Sequence, residues 1–120
     1  MLLYHNPRCS KSREALALLQ ELGHAPEIVD YLSHPPTLSQ LRQLCSLLGG
    51  GARALLRDGE TLYGELQLQR PELSDEALLQ ALAQHPQLLQ RPIVVQGQRA
   101  LIARPPELLR PWLDAAAPQS

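Results

Sequence analysis

The sequence predicts a mixed α/β fold in a single domain, and three observations lead to this prediction. A strand-like run, an amphipathic helical pattern and a second strand-like run follow one another within the first 31 residues. The middle of the chain, at about residues 37–90, shows helical patterning alone. Strand character then returns twice before a last helical stretch. At 120 residues the chain is long enough to bury one hydrophobic core.

The N-terminal elements are predicted to form a βαβ unit. Residues 2–5 are a short apolar run, and a helix is expected from just after Cys9 to Gly23, a residue suited to ending a helix. Residues 27–31 have the composition of a second strand. Strands joined in this way are parallel, with a right-handed crossover. The buried face of the helix is predicted to consist of Ala15, Leu18, Leu19 and Leu22.

The middle of the chain begins with a capped helix. Thr37 and Gln40 have the spacing of a capping box, and the glycines at 49–51 end the helical pattern. Cys45 lies on the apolar stripe of this helix. Buried cysteine is common, so Cys45 is interpreted as a small core residue, with a redox partner of Cys9 as the alternative.

Three more helical segments are predicted before residue 90, the last of them a single turn from Pro86 through Leu89. Residues 52–57 form a short one, on which Arg53 and Arg57 share a face. Residues 58–71 are expected to be a loop. Ser74 then caps a longer helix whose first turn is acidic, which is the favourable end for acidic side chains.

The C-terminal part is predicted to be a hairpin followed by a helix. Residues 91–95 have strand character, with Pro92 at the first position because proline cannot donate to a ladder. Residues 96–98 have turn composition, and residues 100–103 form an antiparallel second strand. The two prolines after Arg104 suit the start of a helix that runs to about residue 112.

The predicted order is therefore β-α-β, a helical insertion and β-β-α. This order is the thioredoxin-like arrangement, with an insertion at about residues 37–90 between the two halves. We expect one domain over residues 1–114 and a frayed tail over residues 115–120.

Composition excludes several classes of protein. The net charge of −1 and the scarcity of aromatic residues argue against nucleic acid and anionic membranes as partners. No apolar run reaches the length of a membrane span, and the N-terminus lacks the pattern of a signal peptide. A cytoplasmic protein is expected, in which the two cysteines are catalytic or buried rather than a structural disulfide.

Cys9 is the candidate reactive residue. It falls where a strand turns into a helix, and the N–H groups and dipole of a helix N-terminus favour a thiolate. Arg8, Lys11 and Arg13 put cations at the helix end that disfavours them, which indicates a bound anion or the thiolate itself. His5 could add a positive or proton-donating group. The alternative is a buried, inert cysteine with solvated cations around it.

The sequence around Cys9 has the pattern C-x-x-S, with Ser12 in place of a second cysteine. An external thiol is therefore the expected reductant, because Cys45 could resolve a Cys9 intermediate only if the fold brought the two close together. The histidines show no metal-ligand spacing, so no metal is expected: they are His5, His24, His34 and His85.

Four dispersed blocks also carry a family resemblance. They are His5-Asn6-Pro7-x-Cys9-x-x-Ser12-Arg13, then residues 53–57, residues 91–95 and Arg104-Pro105. In order and spacing they resemble the glutaredoxin-coupled arsenate reductase family of the ArsC/Spx superfamily, and most closely its YfgD-like branch.

The resemblance implies a thioredoxin-like oxidoreductase. It implies that Cys9 is the nucleophile, that His5 supports a lowered cysteine pKa, and that Arg57, Arg91 and Arg104 bind the oxyanion. In the family scheme the thiolate attacks arsenate, glutathione attacks the adduct, and glutaredoxin resolves the mixed species so that arsenite leaves. No bound cofactor is implied, since glutathione is an external reductant.

Physical reasoning agrees with this assignment. Arginine binds a tetrahedral oxyanion through a fork of donors, and antiparallel pairing should bring Arg91 and Arg104 to one edge of the sheet. Ser12 and Arg13 are candidates for supporting the thiolate or the anion. Taken singly, each arginine would be interpreted as an exposed charge or part of a structural salt bridge.

Two other functions remain open at this point. One is a monothiol oxidoreductase that acts on glutathione mixed disulfides and not on arsenate. The other is a Spx-like regulator that binds RNA polymerase, which ranks last because that type usually carries C-x-x-C.

Overall fold

A computed structural model describes residues 1–115. These residues form five α-helices, four strands and three short 3₁₀ helices, the last at Ala52–Leu55, Pro86–Leu88 and Pro106–Leu108. The predicted order of β-α-β, helical insertion and β-β-α is confirmed. The elements are β1 (Leu2–His5), α1 (Ser10–Glu21), β2 (Glu27–Asp30), α2 (Leu38–Leu48), α3 (Thr61–Glu65), α4 (Asp75–Gln84), β3 (Ile93–Gln96), β4 (Arg99–Ile102) and α5 (Leu109–Ala115).

The chain divides into two compact units. The sheet unit comprises Met1–Asp30 and the described part of Arg91–Ser120, and the helical unit comprises Tyr31–Gln90. That residues 1–114 form one domain stays a prediction. The tail predicted at 115–120 lies outside the described residues, except for Ala115, which ends α5. No helix in the described part of the chain has the length and apolar character that a membrane crossing requires.

The four strands form one sheet in the order β2-β1-β3-β4. β1 and β2 are parallel, as the βαβ prediction requires, while β1 pairs with β3 and β3 with β4 in antiparallel fashion. Gly97 takes a positive φ of 60° in the hairpin turn between β3 and β4. A residue with a side chain rarely adopts this conformation, so glycine suits the turn.

The pairing register brings three chain segments to one edge of the sheet. Ile93 lies opposite both Tyr4 of β1 and Ile102 of β4. The residues just after β1, just before β3 and just after β4 are therefore neighbours at this edge. The Ala103 N–H extends the ladder by donating to the Pro92 carbonyl over 2.9 Å. The peptide bonds that precede Pro92 and Pro105 are both cis.

The core of the sheet unit lies between the sheet and the helices α1 and α5. Ala15 and Leu19 are fully buried on α1, as predicted, but Leu18 and Leu22 are half-buried. Ser12, a polar residue, is fully buried one turn before Ala15. The buried face of α1 therefore starts at Ser12 and not at an apolar residue. The fully buried apolar residues of this core are Leu3, Ala15, Leu19, Val94, Ala103 and Leu109.

The predicted helix caps of the helical unit are confirmed. The Thr37 hydroxyl accepts the Gln40 N–H over 3.1 Å, and the Gln40 side chain accepts the Thr37 N–H over 2.8 Å. Gly49 ends α2 in the left-handed conformation, with a φ of 75°. The Ser74 hydroxyl accepts the Ala77 N–H over 3.1 Å at the start of α4.

Two predictions for the helical unit are wrong. The segment after Gly51 stops at Leu55, because Leu56 is extended and bridges to Leu89. Arg53 and Arg57 therefore do not share a helical face. Residues 58–71 are not wholly loop, since they contain α3. This helix lacks a side-chain cap and includes a glycine, so its local signals are weak; the burial of Tyr63 stabilises it.

Candidate active site

The segment between β1 and α1 is a turn that presents Cys9. The Cys9 N–H donates to the Asn6 carbonyl over 3.0 Å, which closes the turn around Pro7 and Arg8. The Asn6 side-chain oxygen accepts the Arg8 N–H, also over 3.0 Å. Asparagine at the first position and proline at the second are typical of such turns. The Asn6-Pro7 dipeptide was the signal that could have identified Asn6 as a residue that shapes the site.

Ser12 and Arg13 hold this turn in place. The buried Ser12 hydroxyl accepts the Asn6 N–H over 3.1 Å, and the Arg13 guanidinium donates to the Pro7 carbonyl over 2.9 Å. Their side chains therefore bond the loop backbone, whereas the sequence proposed them as supports for the thiolate or the anion. Ser12 does support the sulfur, but through its backbone N–H.

Cys9 is the N-cap residue of α1, and its backbone is extended, with a φ of −92°. Burial of the thiol disfavours ionisation, but hydrogen bonds to the sulfur outweigh this effect. They come first from the Ser12 N–H, then from the Arg91 side chain and the Lys11 N–H, and the charge of Arg91 adds to them. The pKa of Cys9 is therefore lowered, as the sequence predicted.

The groups that lower the pKa of Cys9 differ in part from the adjacent cations that the sequence indicated. The Lys11 ammonium lies 3.4 Å from the Glu14 carboxylate, and Arg13 is bonded to the loop. Arg8 is exposed. None of these three side chains is among the groups that lower the pKa of Cys9. Backbone N–H groups and Arg91, which is distant in sequence, stabilise the thiolate instead.

Arg91 and Arg104 lie together at the sheet edge that Cys9 adjoins. Arg91 is half-buried, and its Nε is buried without a hydrogen-bond partner among residues 1–115. Arg104 is exposed, and its Nη1 lies 3.5 Å from the Arg91 carbonyl oxygen. The prediction that antiparallel pairing brings these two residues to one edge is confirmed. An unpaired guanidinium N–H beside a thiolate suits an oxyanion ligand.

His5 is buried at the end of β1, with 6% of its surface exposed. Its pKa is lowered, because burial and the charge of Arg13 outweigh the opposing effect of Asp30. Its Nδ1 is buried without a hydrogen-bond partner in the described part of the chain. His5 is therefore held neutral, and it is not among the groups that lower the pKa of Cys9. Of the two roles that the sequence offered His5, a positive charge is not supported, and a proton-donating role stays a prediction.

The third predicted oxyanion ligand, Arg57, belongs to the helical unit. Its Nη1 donates to the Glu60 carboxylate over 3.0 Å. Arg53 has separate partners, since it donates to the Tyr63 hydroxyl and to the carbonyls of Leu68 and Arg70. That Arg57 binds the same anion as Cys9 stays a prediction.

The second cysteine, Cys45, differs from Cys9. It is half-buried on α2, although the sequence favoured a core position. Burial and then the charge of Asp75 raise its pKa. A thiol that ionises less readily is the weaker nucleophile of the two at neutral pH.

Together these features define a class of protein: an α/β protein with a cysteine site, in which a cysteine of lowered pKa at a helix N-terminus lies beside a guanidinium group. The sequence matches the ArsC family over residues 4–111, so the chain belongs to the ArsC family.

Similar proteins agree with this membership. The chain is 54% identical over 106 residues to the uncharacterized protein YfgD of Escherichia coli K12, covering 88% of this chain and 89% of that protein. It is 51% identical over 106 residues to an arsenate reductase of Neisseria meningitidis serogroup A, covering 88% of this chain and 91% of that protein. The solved structure of an arsenate reductase from Vibrio cholerae superimposes with a TM-score of 0.87 at 49% identity, covering 89% of this chain and 92% of that one. The fold is thioredoxin-like, and the family resemblance that the sequence indicated is confirmed.

Proposed function

We propose that this protein is an arsenate reductase-type thiol oxidoreductase in which Cys9 is the nucleophile. The proposal rests on a single observation: the pKa of Cys9 is lowered, in part by a hydrogen bond from the Arg91 side chain to its sulfur. The relatives named arsenate reductases favour arsenate over other oxyanions as the substrate. Glutathione and glutaredoxin are the proposed external thiols, and the cytoplasm is the proposed location because a thiol cycle needs reducing surroundings.

In the first step the Cys9 thiolate attacks the arsenic atom of arsenate. A sulfur–arsenic bond forms, an arsenic–oxygen bond breaks, and the departing oxygen takes up protons and leaves as water. Arg91 and Arg104, with Arg57 by motif position, donate hydrogen bonds to the remaining oxygens. Donors that are already oriented stabilise charge as it moves during attack and departure.

The later steps need two external thiols. Glutathione attacks the arsenic atom of the adduct, and its sulfur displaces a hydroxyl group that leaves as water. The glutaredoxin thiol then attacks the glutathione sulfur, so that the arsenic–glutathione bond breaks and one mixed disulfide forms. The two thiols lose two electrons, and arsenic falls from the +5 to the +3 state. Water then cleaves the bond between arsenic and Cys9, so that arsenite leaves and the Cys9 thiol is restored. In sum, one arsenate and two thiols give one arsenite, one disulfide and one water. Ser12 cannot serve as a resolving thiol, and its hydroxyl is bonded to the Asn6 N–H.

A coupled assay with arsenate, glutathione and glutaredoxin tests the proposal. The wild-type protein should turn over arsenate, and Cys9→Ser should abolish turnover because the hydroxyl does not ionise at neutral pH. Cys45→Ser is the matched control, with activity close to wild type, because its thiol has a raised pKa.

Two outcomes would contradict the proposal. Arsenate turnover that survives Cys9→Ser would rule out the cysteine mechanism. Activity on glutathione mixed disulfides without any on arsenate would favour the second function, a monothiol oxidoreductase. That function needs the same low-pKa thiol, and the absence of a second cysteine in the C-x-x-S pattern is compatible with it.

A further inference from the structure

The ion pair between Arg57 and Glu60 is a feature that the proposed function leaves unexplained. Arg57 Nη1 lies 3.0 Å from Glu60 Oε2, and the two side chains are 21% and 31% exposed. The backbone fixes both residues: the Glu60 N–H donates to the Arg57 carbonyl over 3.2 Å, and the Arg57 N–H donates to the Leu88 carbonyl over 2.7 Å. The pair is therefore held in a short turn and largely shielded from water.

The Glu60 side chain is committed to Arg57 and not to the helix that follows it. Glu60 is the N-cap residue of α3 and forms no side-chain bond to a helix N–H. Its carboxylate contacts the guanidinium instead. An arginine side chain has five N–H donors, so one bond to Glu60 leaves others for a ligand. The pair thus offers donors and an anionic acceptor side by side.

We propose that Glu60 determines which oxyanions Arg57 accepts, favouring tetrahedral oxyanions that carry a hydroxyl group over those that carry none. This inference rests on the proposed function, in which Arg57 binds the substrate. An ionised carboxylate can only accept hydrogen bonds. The hydroxyl of hydrogen arsenate or hydrogen phosphate can donate to Glu60 while its bare oxygens accept from Arg57. Sulfate has only acceptor oxygens, so one of them would face the carboxylate without a proton between them.

Inorganic phosphate and sulfate test this inference directly. Their affinities are measured by calorimetry at a pH where phosphate is mainly the singly protonated dianion, so that the two ligands carry equal charge. The wild-type protein should bind phosphate at least about tenfold more tightly than sulfate, because an anion without the hydroxyl leaves the acceptor unpaired. Glu60→Gln offers an amide N–H donor and should reduce this ratio to about one.

Asp58→Asn is the matched control. Asp58 is exposed on the same turn, and its substitution removes the same charge without touching the Arg57–Glu60 pair. It should leave the phosphate-to-sulfate ratio unchanged. Arg57→Gln should weaken the binding of both anions, which would show that they bind at this residue.

The inference and the proposed function can fail separately. In the arsenate assay, added sulfate should inhibit Glu60→Gln at least about tenfold more strongly than wild type. If wild type does not turn over arsenate, the proposed function fails while the calorimetric ratio still tests Glu60. Three outcomes would overturn the inference. The phosphate-to-sulfate ratio could be the same in wild type and Glu60→Gln, or Asp58→Asn could change that ratio as much as Glu60→Gln does. The third outcome is that wild type binds neither anion.

Discussion

Removal of Arg91 should change the reactivity of Cys9 in a way that depends on pH. The Arg91 side chain donates a hydrogen bond to the sulfur and places a positive charge beside it. Both effects favour the thiolate, so Arg91→Ala should raise the pKa of Cys9. In the variant, burial still raises the pKa of Cys9, and the N–H groups of Ser12 and Lys11 still lower it.

The magnitude follows from the strength of one charge-assisted hydrogen bond. Such bonds contribute about 1.5–3 kcal/mol, and the lower end applies because Arg91 and Cys9 are both half-buried. About 1.4 kcal/mol corresponds to a tenfold change, so the thiolate population below the thiol pKa should fall about tenfold. The intrinsic nucleophilicity of a thiolate rises with its pKa, with a Brønsted slope of about 0.4–0.5. The net alkylation rate should therefore fall only about threefold at low pH, and it should exceed the wild-type rate about threefold at high pH.

The measurement is the rate of iodoacetamide alkylation across the pH range, in a Cys45→Ser background so that one thiol reacts. The wild-type and Arg91→Ala curves should cross. Arg110→Ala is the matched control, because it removes an exposed guanidinium that lies 3.9 Å from Glu21 and does not contact the sulfur. Curves for wild type and Arg91→Ala that coincide at every pH would refute the reasoning. If Arg91→Ala does not fold, Arg91→Lys keeps the charge and should give a smaller displacement of the same sign.

Three further predictions concern stability. Burial lowers the pKa of His5, so the unfolded chain binds more protons than the folded protein between that lowered value and the ordinary histidine pKa of about 6.5. The free energy of unfolding should fall as pH falls through this window, and His5→Gln should flatten that slope in urea titrations at several pH values. Thr37→Ala removes the capping box of α2 and should cost about 1 kcal/mol in a urea titration. Ser12→Ala leaves the buried Asn6 N–H without its acceptor and should cost about 1–3 kcal/mol by the same measurement, whereas Ser10→Ala, at an exposed position, should cost less.

Elements with strong local signals were predictable from the sequence. The capping box at Thr37, the serine cap at Ser74 and the turn glycines each act within a few residues, so their effects do not depend on the rest of the fold. The pairing of β3 with β4 followed from the short turn at Gly97. That pairing in turn placed Arg91 and Arg104 at one edge, which was the part of the candidate site that topology alone could supply.

The errors fall where contacts distant in sequence decide the conformation. The segment after Gly51 was expected to continue to Arg57, but the bridge between Leu56 and Leu89 ends it earlier. The α3 helix was missed because no cap or apolar period marks it. The helix is held by the buried Tyr63, whose hydroxyl accepts a hydrogen bond from Arg53. These two residues are ten positions apart, so no helical periodicity in the sequence relates them.

The environment of Cys9 shows how a correct prediction can rest partly on a wrong cause. The adjacent cations indicated a thiolate, yet the described structure pairs Lys11 with Glu14 and Arg13 with the loop backbone. The sulfur is stabilised instead by the N–H groups of Ser12 and Lys11, which lie in the first turn of α1, where backbone N–H groups have no partner within the helix. The Ser12 hydroxyl also accepts the Asn6 N–H, and the Asn6 carbonyl accepts the Cys9 N–H in the turn that leads into α1. Ser12 thus has two separate roles: its hydroxyl holds the turn before α1, and its backbone N–H helps to lower the pKa of Cys9.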